Sequence, residues 1–456
     1  MSLPPLSGRT GFDCESVQPD RDKFYARLSL AEETQKLFNV QQERFGILRR
    51  ENFVREQYTS FCGRLPLDIL GLITTALVDV DPCGIWSFRS VCRAWSEAAI
   101  CTPKAWSRVH LKKLRAIEQT RAWVHRAKAV PIELAVTHTE AMHPGLQSVL
   151  VGRRILKLHT PASLLKTGTY NGVEFGELDT LSIHCSAQEE TGPLLDQLLS
   201  PSTQPSILRE LNLRGVIANP DPTPLLRLKG LHLTLSTLWL ADFAILIQSL
   251  SGTLQNLHLQ QCNILPGRRG LGNTFVQASR ITLPHLIDLA IITGSHQTEI
   301  WGNRFHQHED LLSLVTSPKL KRLTCSSNLL DTARDKFDET VEEVGVALVG
   351  GENDGRKVFG KAYCWKNLQK LQLIGPTGTL KSVLAVLKDP SFKLRTGIEE
   401  LVFLVEVPEE SKEGGFASLG TMVKRFTEYL RDSGRSEVTC VIKRRSMVGY
   451  GVPWSE

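Results

Sequence analysis

One pattern recurs through the chain at a spacing that few architectures accommodate: apolar-x-x-apolar-x-apolar. It starts at Leu178 (with Leu181, Ile183), Leu208 (Leu211, Leu213), Leu228 (Leu231, Leu233) and Leu254 (Leu257, Leu259). It continues at Leu286 (Leu289, Ile291), Leu320 (Leu323, Cys325), Leu368 (Leu371, Leu373) and Ile398 (Leu401, Phe403). Successive starts lie 30, 20, 26, 32, 34, 48 and 30 residues apart. The last two apolar positions are two residues apart, the period that puts both on one face of a strand. Helical stretches fall between the strands, around residues 194–199, 241–250, 310–316 and 380–387, each followed by a polar or Pro break. One strand and one helix in each unit of this length predict a β/α solenoid, whose neighbouring units bury a shared core.

The solenoid is expected over residues 132–446, opening with the alternation Ile132, Leu134, Val136. It closes with a helix on Phe416, Leu419, Val423, Phe426 and Leu430 and a strand from Val438 to Ile442. Residues 326–364 carry Asp331, Asp335, Asp338, Glu339, Glu342, Glu343, Glu352 and Asp354, and read as an acidic insertion projecting from it. Residues 447–456 read as a loose end.

The first 131 residues have a different grain. Residues 1–27 are rich in Pro, Gly, Ser, Asp and Arg and read as a flexible tail. In residues 28–61, Leu30, Leu37, Val40, Ile47 and Val54 form a seven-residue stripe broken by Arg44 and Glu51. That predicts an amphipathic helix, packed on the chain's own next domain in preference to the alternative of a coiled-coil dimer. Residues 62–106 predict a compact helical domain. Pro66 suits a first helical turn and Asp68 favours its positive end. Residues 107–131 read as a basic linker helix, with Leu111, Leu114, Ile117, Trp123 and Val124 on its buried side.

Charge and motif content narrow the function. Net charge is 54 − 48 = +6, and residues 101–130 alone hold eight Lys/Arg against Glu118, so no protein-wide basic surface for nucleic acid is expected. Ten cysteines occur without a C-x-x-C pair, which excludes zinc-ribbon spacing and suits a reducing compartment. No run of 18 apolar residues and no signal-peptide core is present. His306-x-His308-x-Asp310 has metal-ligand residue types but no further ligands beside it. His184 and Cys185 are adjacent on a strand and so point to opposite faces, which excludes a nucleophile–base pair. Residues 350–355 are Gly-rich without P-loop spacing. No catalytic residue, cofactor or metal is expected.

Two stretches resemble known families. Leu65-Pro66-x-Asp68-Ile69-Leu70-x-x-Ile73, followed by Phe88-x-x-Val91-Cys92-Arg93-x-Trp95 and Thr102-Pro103-x-Ala105-Trp106, resembles the F-box. Leu254-x-x-Leu257-x-Leu259-x-x-Cys262-x-Ile264 and Leu320-x-x-Leu323-x-Cys325-x-x-Asn328-x-Leu330 resemble leucine-rich repeats. The resemblance implies an α+β chain overall: a small all-α F-box domain preceded by a helix and followed by a leucine-rich-repeat solenoid. It further implies the substrate-recognition subunit of an SCF (cullin-RING) ubiquitin ligase, cytoplasmic and/or nuclear. The F-box would bind a Skp-type adaptor and, through it, a cullin scaffold, and the repeats would hold a target protein. The alternative is an interaction scaffold without ligase function.

The resemblance points to Leu65, Pro66, Ile69, Leu70, Ile73, Ile85, Phe88, Val91, Cys92 and Trp95 as adaptor contacts, with Trp95 the main anchor. In Leu-x-x-Leu-x-Leu the x positions face away from the core. Arg214, His258, Arg322 and Lys370 occupy such positions and are the expected target contacts, for an acidic or phosphorylated surface.

Overall fold

The computed structural model describes residues 29–30, 32–47, 49, 65–81, 84–111, 117–137, 144–190, 207–218, 225–265, 280–293, 306–348, 365–387, 397–407, 414–432 and 438–446. The chain divides into two compact units, residues 1–76 with 83–101, and residues 77–82 with 102–456.

In the first unit, residues 32–47 form helix α1. Its apolar side chains are exposed, Leu37 by 66% and Phe45 by 71%, so the expected packing against the next domain is not what the structure has. Helix α2 (Leu67–Val80) starts where the Pro66 carbonyl accepts the Leu70 amide at 3.0 Å. Helices α3 (Gly84–Arg89) and α4 (Arg93–Cys101) follow. Ile85, Phe88, Ala98 and Ala99 are buried, and the Phe88 and Trp95 rings pack with centroids 4.4 Å apart.

The second unit is built on hydrogen-bonded strands. A 3-10 turn, Pro103–Trp106, enters strand β1 (Arg108–Leu111). Trp106 is fully buried, edge-on to Trp123 of helix α5 (Ile117–Ala127) at 5.5 Å, with the Arg126 guanidinium 4.4 Å above its ring. The strands that follow are β2 (Ile132–Val136), β3 (Ile155–Pro161), β4 (Thr180–Glu190), β5 (Glu210–Ala218), β6 (Gly230–Thr234), β7 (Thr237–Trp239), β8 (Asn256–Gln260) and β9 (Asn263–Leu265). Then come β10 (Ile281–Thr282), β11 (Asp288–Ile292), β12 (Val315–Thr316), β13 (Arg322–Ser326), β14 (Glu343–Ala347), β15 (Lys370–Pro376), β16 (Glu400–Val407) and β17 (Thr439–Ser446). Fifteen strands form one sheet. Its main path is β1-β2-β3-β4-β5-β6-β8-β11-β13-β14-β15-β16-β17, with β7 and β9 attached to β5 and to each other. Strands β10 and β12 pair separately, and the described pairings are all parallel. Between the strands lie helices α6 (Pro144–Leu150), α7 (Ala162–Lys166), α8 (Leu240–Ser249) and α9 (His306–Leu314).

Register explains the core. Leu181, Leu211, Leu231, Leu257, Leu289, Leu323, Val344, Leu371 and Leu401 stand side by side. Two residues on, Ile183, Leu213, Leu233, Leu259, Ile291, Cys325, Val346, Leu373 and Phe403 do the same. All are at most 1% exposed. Each buried side chain of this size stabilises the fold by about 1.5–3 kcal/mol. Gly345 sits in the alternate row, where a Cβ would stand 2.6 Å from the Thr324 hydroxyl.

These observations correct the expected fold class. The protein is α/β, with one large parallel sheet and interspersed helices. It is not the α+β assembly of a small all-α domain followed by a leucine-rich-repeat solenoid. The sheet begins in the region expected to be a basic linker helix, where Arg108–Leu111 is a strand and the helix starts only at Ile117. It also runs through the expected acidic insertion. There, helix α10 (Leu330–Phe337) and strand β14 belong to the unit, β14 lying between β13 and β15. The physical reason is that apolar residues two apart mark any strand with one covered face, so short strands carry no signature of the architecture above them.

Candidate functional site

Helix α2 carries two apolar faces. Leu70, Thr74 and Val78, four residues apart, are buried. Ile69, Leu72, Ile73 and Val80 lie on the other side and are 42%, 67%, 38% and 68% exposed. A solvated helix face is normally polar, so a second apolar stripe is what needs explaining. Trp86 of α3 and Val91 in the α3–α4 turn add exposures of 43% and 50%.

The ten residues expected to contact an adaptor therefore separate. Leu70, Ile85 and Phe88 are core. Trp95 and Cys92 are half-buried, and Trp95 is committed to Phe88. Leu65 is half-buried, while Pro66, Ile69, Ile73 and Val91 are exposed. The sequence missed Leu67, Leu72 and Trp86, since periodicity locates an apolar residue without saying which of two faces is covered.

On the sheet, the alternate rows form a polar side. The four residues expected to meet a target lie there, and the register gives most of them partners within the chain. Arg322 Nη2 lies 3.2 Å from Asp288 Oδ2, and His258 Nε2 lies 3.3 Å from Asp288 Oδ1, outside hydrogen-bond alignment. Lys370 Nζ reaches Glu400 at 3.2 Å and Glu343 at 3.6 Å. At the other end of the sheet, Arg108 contacts Glu133 at 3.0 Å and Asp79 at 2.8 Å, and Lys157 contacts Glu133 at 3.6 Å. Arg214 stands beside His184 in the ladder. Gly215, next to Arg214, has φ +68°, and a Cβ there would meet the Cys185 carbonyl oxygen at 2.7 Å. Just past Arg214 the register shifts, with β4 residues 185–188 standing against Gly215 alone.

Histidines concentrate on this side. His159 and His184 stack at 5.2 Å, and His232 meets His258 edge-on at 4.3 Å. Burial, and then the neighbouring charges, push His159, His184 and His232 each down to about 4. Of this set, His232 and His258 stand at x positions of the apolar triplets, which mark them as surface residues. His110 and His159 were missed, and His184 was considered only beside Cys185, which is half-buried.

Other expected features have structural roles. His308 is buried in helix α9 (His306–Leu314), its Nε2 3.2 Å from the Cys262 carbonyl oxygen. Burial pushes the Cys262 and Cys325 thiols up to about 12, which removes them as nucleophiles at neutral pH. A cavity of about 460 Å³ lies along α10, between Thr316 and Lys366. Beside it, Lys336 Nζ donates to the Leu312 and Ser313 carbonyls and so caps the end of α9. Among the described residues no group of three or more His, Cys, Asp or Glu is placed to hold a metal ion, and no helix is long and apolar enough to cross a membrane. The Gly-rich residues 350–355 lie outside the described residues. Comparison with protein-family models and with curated proteins finds no match for this chain.

Proposed function

We propose that the chain is the target-recognition subunit of an SCF-type ubiquitin ligase, in which the helical unit binds a Skp-type adaptor and the sheet unit holds the target. One observation carries the reading. A unit of three short helices keeps Leu67, Ile69, Leu72, Ile73, Trp86 and Val91 outside its own core. Apolar surface of that kind on a small unit is the usual mark of a docking face, and Ile69, Ile73 and Val91 of the F-box-like residues fall on it. The mechanism is proximity. A target held near a charged conjugating enzyme reacts at a raised effective concentration, and this chain supplies no catalytic group.

The test is co-expression of the full chain with a Skp-type adaptor and its cullin. Leu67→Asp with Leu72→Asp should abolish adaptor recovery while leaving the melting curve in place, because both side chains are more than half exposed. Loss of buried anchors of this type costs about 2–4 kcal/mol of binding. Trp95→Ala is a poorer probe, since it also removes a ring from the unit's core. Unchanged adaptor recovery by the double variant rejects the reading. Adaptor without cullin in the complex supports the scaffold alternative.

A further inference from the structure

Parallel pairing fixes which side chains meet on the polar side of the first five strands. His110 and His159 flank Ala135, whose methyl group leaves the space above it to the two rings. His184 stands beside Pro161 on one strand and Arg214 on the other, and its ring stacks on His159. The result is a row of imidazoles closed at one end by a guanidinium.

His159 is only 9% exposed, and neither of its ring nitrogens has a hydrogen-bond partner. A neutral imidazole carries one donor and one acceptor, and a buried polar group without a partner is costly. Elsewhere on this side the sheet places carboxylates between its cations. Glu133 stands between Arg108 and Lys157, and Asp288 between His258 and Arg322. At the level of His159 the neighbours are Ala135 and Ser182. The charged groups facing it are Arg108 of β1, Glu133 of β2, Lys157 of β3, and Glu210 and Arg214 of β5, with the imidazoles of His110 and His184. Glu133 is already held by Arg108 and Lys157.

We propose that the row His110–His159–His184–Arg214 is a docking site for an acidic segment of a partner protein. One carboxylate of that segment sits at His159, in the place that Asp288 takes beside His258. His159 and His184 are neutral while the row is empty, because burial and the neighbouring imidazole and Arg214 charges disfavour the imidazolium. An incoming carboxylate reverses that balance, so docking takes up a proton and strengthens as pH falls. The proposal deepens the preceding reading, since the acidic segment would belong to the target. It needs no adaptor for its test, so either can fail alone.

The test is fluorescence anisotropy of a labelled Glu-rich peptide with the full chain at pH 7.5 and 6.0, against its Gln counterpart and a phosphoserine counterpart. The Glu peptide should bind about tenfold more tightly at pH 6.0. His159→Asn should remove most of that gain, and Lys321→Gln, on an exposed pair elsewhere, should leave it. Should His159→Asn fail to fold, histidine-ring NMR of the parent decides. The peptide should raise the His159 midpoint by about three pH units, from about 4 to about 7, as a tenfold gain between pH 7.5 and 6.0 requires. A Gln peptide that binds equally, an affinity flat with pH, or a His159 resonance unmoved by peptide overturns the proposal. Tighter binding of the phosphoserine peptide overturns the choice of a carboxylate.

Discussion

Helix α2 and strand β8 are both rich in leucine and isoleucine-like side chains, yet they use them in opposite ways. In β8, Leu257 and Leu259 are at most 1% exposed, and the polar residues between them take the other side of the sheet. In α2, one apolar stripe is buried and a second stands in water. The sheet consumes its apolar residues in its own core. The helical unit holds some in reserve, and burial on a partner is the ordinary use for such a reserve. The same substitution made at the two places should therefore give opposite results. Leu257→Asp puts a charge at a site with no solvent and no cation, and should destabilise the sheet unit by about 4 kcal/mol or more. Leu72→Asp, at a side chain 67% exposed, should change stability by no more than about 0.5 kcal/mol. Thermal melts of the two variants beside the parent check this. Equal shifts would show that the α2 stripe is covered within the chain.

The distinction was half legible in the residues. The apolar triplets located individual strands well, because a buried strand needs its large side chains two apart and Leu257, Leu289, Leu371 and Leu401 supply them. They could not reveal the class of the whole. Arg108-Val109-His110-Leu111 offers four residues of alternation inside a basic stretch that also fits a helix, and only pairing with β2 makes it a strand. Glu343-Val344-Gly345-Val346-Ala347 was hidden by the acidic residues around it, although Val344 and Val346 are fully buried. The polar side was read as basic because Arg322 and Lys370 are visible in the sequence. Their neutralising carboxylates, Asp288, Glu343 and Glu400, lie one strand away, at distances in sequence that only the register reveals. The imidazole row escaped for the same reason, since its members are separated by 25 residues or more and meet only across the ladder.

Acid should sharpen the contrast between the units. Residues 1–101 contain no histidine, so the imidazoles all belong to the sheet unit. His159, His184 and His232 fall from the ordinary 6.5 to about 4 in the fold. The unfolded chain therefore binds more protons between those values, and stability must fall as pH drops from about 6.5 to about 4. It is fully present above 6.5. A shift of this size corresponds to at most about 3 kcal/mol for each buried imidazole. Urea unfolding of the sheet unit at pH 7.5, 6 and 5 should show midpoints descending through that window, ahead of carboxylate titration. A midpoint constant from pH 7.5 to 5 would mean that these rings are hydrated or already paired.

The smallest effect separates two lysines on the sheet itself. Lys370 is held between Glu343 and Glu400 on the two neighbouring strands, and its side chain is 28% exposed. Lys321 meets Glu342 alone at 3.3 Å, where both side chains are about half exposed, 59% and 45%. Removing Lys370 as Gln leaves two carboxylates facing each other across β15 without the cation between them. Removing Lys321 leaves one carboxylate that water already solvates. Lys370→Gln should therefore cost about 1 kcal/mol, near the upper end for pairs that water still reaches, and Lys321→Gln close to nothing. The gap should narrow in about 0.5 M salt, where screening acts within a few ångströms. Chemical denaturation of both variants at low and high salt measures it. A Lys370 variant as stable as the Lys321 variant at low salt would mean that the carboxylates on either side turn outward. Lys370 would then be released from them, and the polar side of the sheet would recover the basic character its residues suggest.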